Sequence, residues 1–203
     1  MAYPTVSAPY GFKPVNRQDG MPYAGATTQY VVASSNAAIY NGDLVLITDG
    51  QIVKSTVTND ASNVSTQTAG VFVGCQYVNT QGQTVQSQYY PGNAAASSPV
   101  AYVVVDGNAA FKAVVTDGAN VSSTTLGAIG VNVQVVQGAG SATTGNSGVS
   151  ILAPSSGSGN ASTLPAKVIA VVPETAINAT NFREVLVVLT NPQLTGSAGN
   201  VFA

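Results

Sequence analysis

Residues 41–56 constrain the fold more tightly than any other stretch. They read Asn41-Gly42-Asp43, then Leu44-Val45-Leu46-Ile47-Thr48, then Asp49-Gly50, then Gln51-Ile52-Val53-Lys54-Ser55-Thr56. Two β-branched runs on either side of an Asp-Gly pair are the signature of a two-residue hairpin. Gly50 takes a positive φ without a Cβ clash, and Asp49 tolerates it better than most residues. A third run, residues 69–78, has no helical period, and its Gly70 and Gly74 predict bulges or close backbone approach. These runs give three strands of a small twisted sheet or barrel. None of them carries an evident catalytic group.

Further along, β-branched runs recur at short spacing. Strands are expected at 29–33, 84–90, 100–106, 111–115, 129–136, 149–152, 166–172 and 183–189. In the 129–136 run, Val131, Val133 and Val135 share one face while Asn132 and Gln134 share the other, as in a half-buried antiparallel strand. Loops are expected at 34–38, 57–68, 93–98 and 154–163, and Asp117-Gly118 ends a strand. Residues 137–148 are Gly/Ser-rich and read as flexible. Residues 174–181 have room for one helical turn. The fold class is therefore all-β, a single β-barrel or β-sandwich-like domain over 29–190. Residues 191–203 read as a loose tail.

Residues 1–28 differ from the rest. Pro4, Pro9, Pro14 and Pro22 exclude a helix and disfavour a central strand. Between them lie Tyr3, Tyr10, Phe12 and Tyr23, with Lys13 and Arg17 as two of only six basic residues. Aromatics on an extended segment need a surface to bury against. That surface is either the chain's own sheet, with the segment as a strap, or a neighbouring molecule, with the segment as an arm. On the second reading Tyr3, Tyr10, Phe12, Lys13, Arg17 and Tyr23 bind a partner, and a chain lacking 1–28 still folds.

Charge narrows the function classes. Charged residues make up 7% of the chain, against 45% hydrophobic residues, and the formal net charge is −2. A basic stripe for nucleic acid is absent, as is a polybasic membrane contact. No run of 18 apolar residues occurs, so no membrane-spanning helix is expected. The opening Met1-Ala2-Tyr3-Pro4 lacks the basic and apolar regions of a signal peptide, so synthesis in a cytoplasm is expected. The chain has no histidine and one cysteine, Cys75. That removes Ser-His-Asp and Cys-His arrangements, the commonest metal ligand and any internal disulfide. Cys75 reads as a small buried hydrophobe. Asp49, Asp106 and Asp117 each precede a glycine, which is turn chemistry, and the acids are too scattered to suggest a calcium site. No P-loop or dinucleotide fingerprint is present. Neither an enzyme nor a cofactor is expected, which leaves binding and structure.

The Asn41-Gly42-Asp43-Leu44-Val45 strand, the Gly50-centred hairpin and the Gly70-Val71-Phe72-Val73-Gly74 strand resemble the head-decoration, or capsid cement, proteins of tailed bacteriophages. The opening Met1-Ala2-Tyr3-Pro4-Thr5-Val6, with Tyr10-Gly11-Phe12-Lys13-Pro14-Val15-Asn16 and Pro22-Tyr23-Ala24-Gly25-Ala26, is similar to small virion structural proteins of marine phages. The resemblance implies a β-rich, non-enzymatic protein held in many copies on the outer surface of a capsid. It implies a major capsid protein as partner and a homo-oligomer, with a trimer favoured. A tail or fibre component is the alternative within the virion.

Overall fold

The computed structural model describes residues 6–34, 37–56, 68–92, 96–116, 129–153, 164–173, 182–190 and 192–194. Tyr3, Asp60, Asp117 and the expected helical turn at 174–181 lie outside the described residues. So do the expected loop at 154–163, all but the last residue of the expected loop at 57–68, and most of the expected tail. Among the described residues there is no helix, and thirteen strands form two sheets.

The first sheet runs β2 (Thr28–Val31), β7 (Ala96–Val104), β5 (Gly70–Asn79), β3 (Leu44–Thr48), β4 (Gln51–Lys54), with β6 (Thr84–Ser87) added beside β5. Its β3–β4 hairpin closes on Asp49 and Gly50 at φ 50° and 75°, the two positive values a type I′ turn requires. Thr48 pairs with Gln51 and Val45 with Lys54, so the register follows from the turn. The sheet then curls nearly shut. Val32, just past β2, bridges Ile52 of β4, and the Ala33 N–H donates to the Ile52 carbonyl at 2.9 Å. Inside lie Val45, Ile52, Phe72, Cys75, Tyr90 and Val103, each at most 1% exposed.

The second sheet runs β10 (Val135–Val136), β11 (Ser150–Leu152), β8 (Ala109–Thr116), β13 (Arg183–Leu189), β12 (Ala166–Val171), β9 (Asn132–Val133). Its two ends belong to one segment. Asn132 and Val133 pair with β12, and Val135 and Val136 pair with β11. Consecutive residues thus reach both edges, and this sheet also closes on itself. Phe111, Val115, Val133, Ile151, Val168 and Val187 fill it. Alternation dictates the filling, since residues two apart share a face. Within the expected half-buried strand at 129–136, residues 132–135 are buried on both sides. Asn132 and Gln134 are only 8% and 7% exposed, because the face opposite the valines is covered as well.

The two closed sheets share a wall. Leu44, Val71 and Val104 point out of the first barrel and join the apolar core of the second. Barrel architecture removes free edges, which suits strands this apolar.

Part of residues 1–28 pairs with the β domain. Lys13–Arg17 forms β1, an antiparallel edge strand on β8, with Lys13 opposite Lys112 and Pro14 opposite Phe111. An edge is where a sheet tolerates proline, because the missing N–H leaves no ladder bond unmade. Phe12 is fully buried and meets Phe111 edge-on at 6.3 Å. At the other end, the Gln193 side chain bonds the Ile47 N–H at 2.7 Å and the Ile47 carbonyl at 3.2 Å. The expected tail therefore begins as a fastened segment.

Candidate functional site

The polar centre of the molecule is the junction where residues 10–13, 40–43 and 138–149 meet. Its backbone is set by two glycines in contact. Gly11 and Gly42 have φ of 81° and 96°. A Cβ on Gly42 would lie 2.9 Å from Gly11 Cα, and one on Gly11 would lie 2.7 Å from the Gly42 carbonyl oxygen. Only residues without side chains allow this crossing. The Phe12 N–H donates to the Gly42 carbonyl at 3.0 Å, and the Gly11 N–H to the Val149 carbonyl at 3.1 Å. On the other flank Asn41 bridges Asn146, with the Asn41 N–H on the Gly145 carbonyl and the Ser147 N–H on the Asn41 carbonyl, both 3.0 Å.

Two charged groups sit in this frame. Asp43 is fully buried. Its Oδ1 accepts from Ser147 Oγ at 2.6 Å, and its Oδ2 accepts from the Tyr40 N–H at 2.8 Å and pairs with Lys54 Nζ at 2.9 Å. Lys54 also lies 5.6 Å from the centroid of the Tyr40 ring, which stacks on Tyr89 at 5.5 Å. Lys13 is the second group. Its Nζ donates to Asn41 Oδ1 at 2.5 Å, to Asn146 Oδ1 at 2.8 Å and to the Asn41 carbonyl at 3.3 Å. Burial lowers the Lys13 pKa to about 8, with the Asp43 charge opposing the shift.

The residues singled out in the sequence fall in three places. Tyr3 is outside the described residues. Tyr10, Phe12 and Lys13 converge on the junction. The Tyr10 hydroxyl donates to Glu184, which also pairs with Lys112 at 3.0 Å. Burial first, and the Glu184 carboxylate second, push the Tyr10 phenol up, so it stays neutral. Arg17 and Tyr23 lie apart from the junction. Arg17 pairs with Asp106 at 3.0 Å and Asp19 at 3.1 Å. The Tyr23 hydroxyl donates to the Ala26 carbonyl at 2.5 Å, and burial and Asp106 raise its pKa. Of the six residues expected to bind a partner, the five described ones make contacts within the chain. Phe12 belongs to the chain's own core, and Tyr10, Lys13, Arg17 and Tyr23 all bond within the chain.

Sequence reasoning missed Asn41, Asp43, Asn146 and Ser147 as one cluster. Asn41-Gly42-Asp43 carries a local turn signal that hides its long-range role. Residues 137–148 carry no signal at all, since their composition reads as a flexible linker. In the structure parts of this segment are packed, while residues 141–144 are exposed: Gly140 lies against Tyr40, where a Cβ would come within 2.1 Å of the ring, and Ser147 is 2% exposed.

Beside the junction, Val6, Pro9, Tyr10, Ser141, Thr144 and Asn146 line an open cleft of about 500 Å³. Its walls are neutral. Among the described residues no group of three His, Cys, Asp or Glu side chains could hold a metal ion. What the junction offers chemically is an amine facing two carboxamides beside a buried, paired carboxylate. Fold and site together define an all-β protein whose polar centre braces two barrels against each other. No family model matches the chain, no curated protein matches it, and no solved structure matches it.

Proposed function

We propose that the chain is a structural virion protein that decorates the outer surface of a phage capsid, bound between capsid subunits as a homo-oligomer, with a trimer favoured. The observation that carries this reading is where the charges are. Lys13, Arg17, Lys54 and Lys112, four of the six basic residues, are engaged by partners within the chain. Residues 61–105 contain no charged side chain at all. A surface with so little charge imposes little repulsion between copies and little desolvation cost at a contact. Val15, Met21, Val31, Ile129 and Leu194 add exposed apolar area. The resemblance of residues 41–45 and 70–74 to capsid cement proteins agrees with the reading, and in this fold those residues hold the shared wall.

Multivalency then supplies the strength: many modest contacts over a shell give an avidity that no single contact has. The test is localisation in intact particles by cryo-electron microscopy or immunogold labelling. Density on the outer face of the shell, at a fixed number per capsomer, is expected. Label confined to the tail would transfer the protein to the tail or fibre alternative. Particles carrying no label at all would end the virion reading.

A further inference from the structure

We propose that Lys13 and Asn41 are joined in the mature protein by an intramolecular isopeptide bond between the lysine amine and the asparagine carboxamide. The backbones that carry the two groups are held against each other where Gly11 crosses Gly42, and each has further anchors of its own. Lys13 is the first residue of β1 and follows the fully buried Phe12. Asn41 is held by its own N–H and carbonyl bonds to Gly145 and Ser147. Its side chain is oriented too, because Nδ2 donates to the Val73 carbonyl at 2.7 Å. That bond turns the amide carbonyl toward Lys13, whose Nζ lies 2.5 Å from Oδ1. The amide carbon is one C=O bond further, about 1.23 Å. The amine therefore lies within about 3.7 Å of the amide carbon, close to the separation at which an intramolecular reaction gains over its solution counterpart.

The chemistry needs no further reagent. The neutral Lys13 amine attacks the Asn41 Cγ, and a new C–N bond forms in a tetrahedral intermediate. The bond from Cγ to Nδ2 then breaks. The proton lost by Nζ leaves with Nδ2 as ammonia. Amine and primary carboxamide become secondary amide and ammonia, with atoms and charge in balance and no change of oxidation state. Three features of the junction favour these steps. Burial holds the Lys13 pKa at about 8, so about a tenth of the amine is neutral at pH 7. The Asp43 charge reaches the Lys13 amine and stabilises the positive charge as it passes from Nζ to the leaving nitrogen. Val73 and Ser147, by fixing Asn41, remove the rotations that would otherwise separate the pair.

Asn146 is the competing electrophile, with Oδ1 at 2.8 Å. Among the described residues no hydrogen bond fixes its amide nitrogen, so the geometry selects Asn41. The bond would fasten the N-terminal segment covalently to the junction of the two barrels.

Intact-mass measurement on the full, folded protein tests this. The expected mass is below the sequence mass by one ammonia, and it persists after denaturation. Protease digestion and tandem mass spectrometry should give a branched peptide joining Lys13 to Asn41. Protein unfolded before the bond forms and refolded should lose the ammonia about ninetyfold faster at pH 9 than at pH 6, in proportion to the neutral amine. Lys13→Arg and Asn41→Ala should keep the full sequence mass, and Asn146→Ala should still lose ammonia. Folded wild-type protein that keeps its full mass after long incubation at pH 9 would overturn the proposal. So would a branched peptide at Asn146, or a rise in mass from simple deamidation. The wild-type measurement stands even if a variant fails to fold. It is also independent of where the protein sits in a particle.

Discussion

Asp43 has no exposed surface, and its two oxygens meet the Ser147 hydroxyl, the Tyr40 N–H and the Lys54 ammonium. Removing the carboxylate leaves three donors facing a cavity. Breaking a buried pair by deleting one member is costly because the other group keeps its desolvation penalty. Asp43→Ala should therefore destabilise the fold by about 3 kcal/mol in chemical denaturation. A loss under about 1 kcal/mol would mean that water enters the junction freely. Cys75 is the opposite case. It is 1% exposed inside the first barrel, its Sγ donates to the Tyr89 carbonyl at 3.4 Å, and burial pushes its pKa up to about 12. The thiol is therefore a poor nucleophile, and a thiol reagent should label it only at the rate of unfolding. Cys75→Ala removes little volume and should cost about 1 kcal/mol. The pH dependence has a definite sign. The folded thiol holds its proton above the ordinary value of 9.0. Its contribution is fully present below that pH and is lost as pH rises toward 12. Wild type should lose stability more steeply than Cys75→Ala between pH 9 and pH 11; parallel curves would show that the thiol titrates normally.

At the scale of elements, β1 decides how the N-terminal region behaves. Its ladder to β8 and the burial of Phe12 make residues 10–17 part of the second barrel. Deleting residues 1–28 exposes the edge of β8 and opens the space that Phe12 fills. The truncated chain is expected to lose cooperative unfolding and its native β-type circular dichroism. Phe12→Ala alone should cost about 3–5 kcal/mol. A truncated chain that melts as sharply as the full one would restore the reading of 1–28 as a separate arm. This element also marks the limit of what the sequence discloses. The β3–β4 hairpin was legible because Asp49-Gly50 encodes its turn locally. The expected strands at 69–78, 111–115 and 183–189 were legible because a β-branched run is a local signal too, and they are found at 70–79, 109–116 and 183–189. β1 was hidden by Pro14, since sequence alone does not tell an edge strand from a strap. The junction was hidden for a related reason. Lys13, Asn41 and Asn146 lie far apart in the chain, and no local pattern records that three loops cross there. Glycines at 138, 140 and 148 look like flexibility in a composition, yet they serve close packing in the fold.

For the whole molecule, the distribution of charge bears on how it meets other molecules. The paired charges lie within the chain: Arg17 with Asp19 and Asp106, Lys54 with Asp43, Lys112 with Glu184. Salt acts mainly on exposed charges, over a screening length of about 10 Å at 0.1 M. A contact made by neutral polar and apolar groups has no such component to screen, and apolar contact is not weakened by moderate salt. Association between copies of the chain, and attachment to a shell, should therefore change by no more than about threefold between low and high ionic strength. Sedimentation equilibrium across a salt series reads the first, and co-sedimentation with capsids reads the second. If either weakened a hundredfold or so, Lys167, Arg183 and the remaining acids would carry the contact, and the neutral surface would not be what binds.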